Sequence, residues 1–316
     1  MAARRTVATT LALLILPLVL GGQALAGEWD GLKKRLAADG FAARRLDQIF
    51  DRPELSFDPR PMATKMRELF RARQEPRTGE AKPTSKVYPG YINAVRINEA
   101  RAFMRQHGVT LDRVSREHGV PREIPVAIMA VETRLGRFLG RESAFVNLAS
   151  MAACRDFDRI KPHLTRLNPS EEQWRWLKTR SAEKADWAYE ELKALLVYAR
   201  KNNLDPKDLP GSIYGAIGHC QFMPTNALRF GADGNGDGVV DLFCNEDALA
   251  SIGRYLAAYG WRAGIDKKAQ RQVIWEYNHS QVYVNTVMAV ADRLKAGAKS
   301  PAGKTNKAKG KSVRRT

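Results

Sequence analysis

Only three cysteines occur in 316 residues, Cys154, Cys220 and Cys244. None stands in a CxxC spacing, which removes thiolate zinc sites and thioredoxin-type redox chemistry. One disulfide with a free thiol, or three buried thiols, both fit this count. No GxGxxG follows a parallel strand, so a dinucleotide site is excluded as well. Beyond the first 26 residues, no stretch is apolar enough to cross a bilayer. Acid is also scarce: 34 Asp and Glu face 52 Lys and Arg, a net charge of +18. Arg4 and Arg5 supply two of these charges and the stretch from Lys299 seven, leaving +9 on the rest. A basic body with a basic tail implies an anionic polymer or surface as partner.

The chain is long enough for one large or two modest domains. Residues 1–26 read as a cleaved signal: Arg4 and Arg5, an apolar core from Val7 to Leu20, then Ala24-Leu25-Ala26 before Gly27. No cysteine stands near that cleavage site, so a lipid anchor is not expected. Residues 27–75 are predicted as two helices interrupted by Pro53 and Pro59. Gln74 to Ser85 is a polar connection. Further helices are expected over Asn93–Gln106, Leu111–His118, from Ser170, over Ala248–Ala258 and over Val282–Leu294, with a stretch from Ala144 to Ala153 between a charged loop and a polar segment. The tail beyond Lys295 is low in complexity and is expected to be disordered.

Three stretches carry chemistry. In Pro125 to Gly136, seven uncharged residues precede a single carboxylate, Glu132. The run is apolar on all sides, which predicts a buried helix with a start at Pro121 and a turn at Gly136 and Gly140. Burial at its inner end should raise the Glu132 pKa and keep a proton available for a leaving oxygen. A solvated helix-end glutamate is the plainer alternative. Glu142 is a weaker candidate acid, since Arg137 and Arg141 should hold it ionised.

The second stretch, Gly211 to Pro224, has three glycines and lets backbone approach a ligand closely. Ser212, Tyr214 and Gln221 suit hydrogen bonding and stacking to a sugar. His219 is more readily structural than catalytic. The third, Asp233 to Asp241, has the spacing of a calcium loop: Asp233, Asn235, Asp237, then Gly238, then the carbonyl of Val239. Position 12 is Cys244, a poor calcium ligand, and Asp247 could close the shell. A solvated Gly/Asp turn without metal is the alternative.

These blocks, with Ala130 to Arg137 and Tyr277-Asn278-His279-Ser280, occur in an order that resembles the B-type lytic murein transglycosylases. The resemblance covers most of Gly119 to Leu294. It implies a mainly α, lysozyme-like α+β catalytic core with extra N-terminal helices and a small calcium-type loop. The domains then expected are an N-terminal helical region over 27–118, a catalytic region over 119–295 holding the 233–247 loop, and a basic tail over 296–316. The implied activity is non-hydrolytic cleavage of the β-1,4 bond between N-acetylmuramic acid and N-acetylglucosamine in peptidoglycan, leaving 1,6-anhydromuramic acid. Glu132 would be the lone acid/base. Ser212, Gln221, Tyr277, Asn278 and Tyr283 would hold substrate. Asp233, Asn235, Asp237, Val239 and Asp247 would hold a structural Ca2+, with no organic cofactor. The implied setting is a periplasmic monomer on glycan strands, with other cell-wall enzymes as candidate partners and no nucleic acid. A hydrolytic muramidase and a non-catalytic wall-binding protein are the rival readings. The sequence departs from the family between Trp261 and Tyr277, which is short, and over Arg155 to Lys184, which is expanded.

Overall fold

A computed structural model describes residues 27–74 and 84–298. The expected signal lies outside these residues, as does all of the basic tail except residues 296–298, which continue the last helix.

The first three helices are α1 (Asp30–Ala38), α2 (Ala43–Phe50) and α3 (Arg60–Gln74). The segment therefore holds three helices rather than two, with both prolines between α2 and α3. The missing break lies at Asp39-Gly40, where Gly40 takes φ +92° and the chain turns back. Next come α4 (Ala94–Gln106), capped by the Asn93 side chain on Arg96 N–H, and α5 (Gly108–His118), closed by Gly119 in the left-handed region.

The apolar run forms α6 (Glu123–Thr133), with eight of its eleven residues buried. It starts two residues after Pro121, so Pro125 falls in the first turn, where no N–H is needed. A two-residue strand β1 (Glu142–Ser143) leads into α7 (Ala144–Ala153). Two 3-10 turns follow, and then α8 (Glu171–Lys201), a single helix of 31 residues. Its start is a reciprocal capping box between Ser170 and Gln173. The short strand β2 (Pro210–Gly211) pairs antiparallel with β1. The chain ends in α9 (Pro224–Phe230), α10 (Asn245–Ala258), α11 (Lys267–Tyr277) and α12 (Gln281–Ala298).

One continuous apolar core runs from Trp29 to Leu294. Within it α6 is wrapped by α4, α10 and α12, α7 lies along α8, and α10 packs on α5 and α9. That placement is why α6 can be apolar on all sides. Among the described residues the sheet content is confined to β1–β2 and two single bridges, Gly211 to Ile217 and Ile217 to Phe222. The fold is thus mainly helical with a small β element, as expected. Among the described residues all three cysteines are free thiols, and no helix is long and apolar enough to cross a membrane.

Candidate active site

Glu132 sits in the last turn of α6. Its neighbours Val131 and Thr133 are buried, while Glu132 keeps part of its surface exposed. Burial of the carboxyl pushes its pKa up to about 7. The Tyr283 hydroxyl beside it opposes that shift slightly. Tyr283 Oη is itself buried without a hydrogen-bond partner, so it is a close neighbour of the carboxyl rather than a formed bond. No second carboxylate contributes to the Glu132 shift.

The helix end that carries Glu132 is tightly held. Arg134, Leu135 and Gly136 all adopt left-handed φ values of 52°, 63° and 82°. Two of these residues have side chains, and each costs roughly 1–2 kcal/mol in that region. Thr133, fully buried, offsets that cost. Its hydroxyl donates to His219 O at 2.8 Å and accepts from Gly136 N–H at 3.0 Å. Gly136 must be glycine here, because a Cβ would lie 2.9 Å from the His219 ring. His219 is therefore a support under the end of α6. Burial lowers its pKa, and its Nδ1 lacks a partner.

The glycine-rich stretch folds back on itself through Ile217 and Phe222, which exchange backbone hydrogen bonds at 2.8 and 3.1 Å. Gln221 takes a left-handed φ of 50° at its tip, with Nε2 donating to Gly218 O at 3.0 Å. Tyr277 Oη donates to Cys220 O at 2.6 Å and so ties α11 to that tip. The Tyr277 and Tyr283 rings are nearly parallel, with centroids 6.3 Å apart, and Phe222 and Tyr255 complete an aromatic wall. Burial, and then the charge of Glu132, raises the Tyr283 pKa. Cys220 feels the same charge and is pushed up to about 12, mainly by burial. The structure thus brings Glu132, Gln221, Tyr277 and Tyr283 into one neighbourhood.

Ser212 and Asn278 make different contacts. Ser212 Oγ accepts from Tyr214 and Ala216 N–H, at 3.3 and 3.0 Å, and so shapes its own turn. Asn278 is exposed at the C-terminal cap of α11. Glu142 pairs with Arg60 at 3.3 Å rather than with Arg137, which is drawn to Glu99 at 2.8 Å. Sequence reasoning missed three contributors. Buried Asn147 links Glu142 Oε2 and Ser212 O, at 3.2 and 3.1 Å. Tyr91 Oη reaches Val131 O at 3.3 Å. Thr133 is the third. A polar residue inside the apolar α7 pattern was the available signal for Asn147.

The Asp233 loop winds around the carboxylate of its first residue. Asp233 accepts N–H groups from Gly236, Asp237 and Gly238, and both glycines have positive φ. The side chain of Asn235 meets Asp237 Oδ2 at 2.8 Å. Asp247, fully buried in the first turn of α10, accepts N–H from Gly234 at 2.8 Å, Asn235 at 3.3 Å and Asp241 at 2.7 Å. Desolvation raises its pKa despite these bonds. Cys244 Sγ instead donates to Glu246 Oε2 at 3.2 Å. Among the described residues no cluster of three or more His, Cys, Asp or Glu is poised around a metal. The loop's donors include an amide and a backbone carbonyl, and its all-oxygen set suits a hard cation.

Residues 24–270 match the family model described as the transglycosylase SLT domain. The chain belongs to that family. It is 30% identical over 174 residues to the membrane-bound lytic murein transglycosylase B of Escherichia coli (strain K12). That alignment covers 55% of this chain and 41% of the relative, so the chain spans about two fifths of the relative it matches. Among solved structures, the soluble lytic transglycosylase SltB1 of Pseudomonas aeruginosa superposes with a TM-score of 0.64 at 22% identity. It covers 85% of this chain and 99% of its own. The Escherichia coli lytic transglycosylase Slt35 in complex with calcium also gives 0.64, at 20% identity over 86% and 96%. SltB3 of Pseudomonas aeruginosa in complex with NAG-anhNAM-pentapeptide gives 0.62, at 20% identity over 84% and 78%. These structural likenesses place the chain in the lysozyme-like fold of SLT transglycosylases.

Proposed function

We propose that the protein is a peptidoglycan lytic transglycosylase in which Glu132 is the only acid/base. The observation that carries this reading is a single carboxyl at the buried end of α6, its pKa raised by burial to about 7, beside an aromatic wall. An ordinary glycosidase needs a pair of carboxylates flanking the bond. One suffices when the sugar supplies its own nucleophile.

Protonated Glu132 gives its proton to the oxygen between N-acetylmuramic acid and N-acetylglucosamine. The C1–O bond breaks, and the muramic C6 oxygen bonds to C1. The carboxylate takes the proton from that C6 hydroxyl, so the enzyme returns to its starting state and no water is consumed. The held nucleophile gains the proximity advantage of an intramolecular attack. Tyr277, Tyr283, Gln221, Ser212 and Asn278 are the residues that would hold the sugar strand. A cation held by Asp233, Asn235, Asp237, the Val239 carbonyl and Asp247 would fix the loop against α10, a structural role. Export to the cell envelope without lipidation fits this substrate, as does the positive charge against lactyl and peptide carboxylates.

The Glu132→Gln variant should lose murein digestion by at least about a thousandfold, within the range of general acid–base catalysis and in its upper part because one group does both proton transfers. Mass analysis of products separates the rivals. Anhydro ends support this reading, and reducing ends would establish a hydrolytic muramidase. Undiminished digestion by Glu132→Gln would remove Glu132 from the mechanism.

A further inference from the structure

The α11–α12 hairpin has two functional faces. Tyr277 and Tyr283 turn toward Glu132. Residues two positions apart on a helix point about 200° apart, so Trp275 and Gln281 lie on the opposite side. There they line a separate groove of about 530 Å³ together with Lys267, Lys268, Arg271 and Val284.

The chemistry of this groove is one-sided. No carboxylate lines it. Lys267 is held by Asp292 at 2.6 Å, but Lys268 is exposed and has no ion pair among the described residues. Arg271 donates to Asn285 Oδ1, a neutral acceptor that fixes the guanidinium without cancelling its charge. Asn285 is itself held, because its amide donates to Thr84 O at 2.6 Å and Lys86 O at 3.0 Å, and Gln281 Nε2 donates to its Oδ1 at 3.1 Å. Trp275 is half-buried and braced edge-on by His279, with centroids 5.5 Å apart. On the helix, 268, 271 and 275 follow the i, i+3, i+7 spacing that aligns side chains on one face. A fixed cation, a free cation and a braced indole in one trough match a sugar ring that carries a carboxylate.

We propose that this groove is a second binding site for carboxylate-bearing glycan, holding an adjacent strand on the side of the hairpin away from Glu132. This rests on the murein reading for the identity of the polymer. The two sites would then let one molecule stay on a multistranded layer while it cuts.

The test is co-sedimentation of the full chain with purified peptidoglycan sacculi, in a Glu132→Gln background so that the polymer is not consumed. Lys268→Glu should weaken retention about threefold, and Lys268→Glu combined with Trp275→Ala about tenfold. The exposed control Lys178→Glu, with the same charge change on α8, should alter retention less than about twofold. Equal loss with the control would mean bulk charge alone, and unchanged retention in both groove variants would mean no site; either overturns the proposal. Lys268→Glu is a surface change, so it reads the groove even if Trp275→Ala does not fold. Failure of the functional reading shows up separately, as absence of murein digestion by the unaltered chain.

Discussion

A carboxyl with a pKa of about 7 costs stability whenever it is ionised. Its unfolded value is near the ordinary 4.5, so the folded state binds the proton more tightly. Stability from this group is therefore full below pH 4.5 and declines as pH rises toward 7. Above that the accumulated cost is about 3 kcal/mol. Glu132→Gln should consequently melt higher than the unaltered protein, with a gap that is small at pH 5 and grows by pH 8. Calorimetry across that range checks this; a gap independent of pH would mean that the carboxyl is not perturbed. The same protonation should make murein digestion fall as pH passes upward through 7. Thr133 acts on this carboxyl only by position. Thr133→Val removes the hydroxyl that joins α6 to His219 O and Gly136 N. It should lower stability by about 1–3 kcal/mol. It should also reduce kcat about tenfold while leaving KM nearly unchanged, since the misplaced group is the proton donor.

Among the elements, the loop after α9 makes the sharpest claim. Asp247 belongs to α10, yet its carboxylate collects three N–H groups from residues 234–241. It is the joint between loop and helix. Calcium should raise the melting temperature by mass action, and Asp247→Asn should lower it without calcium and abolish the calcium-dependent rise. A melting temperature unmoved by millimolar calcium would remove the metal from this protein. The loop also shows what can be read in a sequence. Its turn is set by residue identities at fixed offsets, so the bend at Asp233 to Gly238 was legible whether or not a metal fills it. So was α6, whose apolar run needs burial on every side. The helix starts at Asn93 and Ser170 were legible for the same local reason. Contacts between distant segments carry no such signature. Nothing local tells that Glu142 pairs with Arg60 rather than Arg137, that Tyr91 reaches Val131, or that Asn147 bridges Glu142 and Ser212. The break between α1 and α2 escaped because a single glycine turn looks weak beside two prolines.

The N-terminal helices bear on whether the catalytic region could stand alone. Phe50 of α2 packs on Phe145 of α7 at 5.0 Å, and Trp29 covers Phe50 at 5.6 Å. Arg35 pairs with Asp186 at 3.0 Å and lies over the Tyr189 ring at 3.6 Å, while Ser150 Oγ accepts Asp58 N–H at 2.9 Å. On α3, Lys65 sits 3.8 Å above the ring of Tyr214, inside the glycine-rich stretch. These contacts fall on α7, α8 and that stretch, the same elements that support Ser212 and Gln221. The first three helices bury Leu36, Leu46, Ile49, Phe50, Met62, Met66 and Phe70 almost completely. At about 1.5–3 kcal/mol for each such side chain, their loss matches or exceeds the net stability of a typical domain. A chain lacking residues 27–74 should therefore show no cooperative thermal transition. The single change Phe50→Ala should cost about 3–5 kcal/mol and lower the melting temperature, with activity at low temperature largely kept. Circular dichroism melts of both proteins decide the matter. A cooperative melt of the shortened chain, with murein digestion intact, would make the N-terminal helices an addition to the enzyme rather than part of its core.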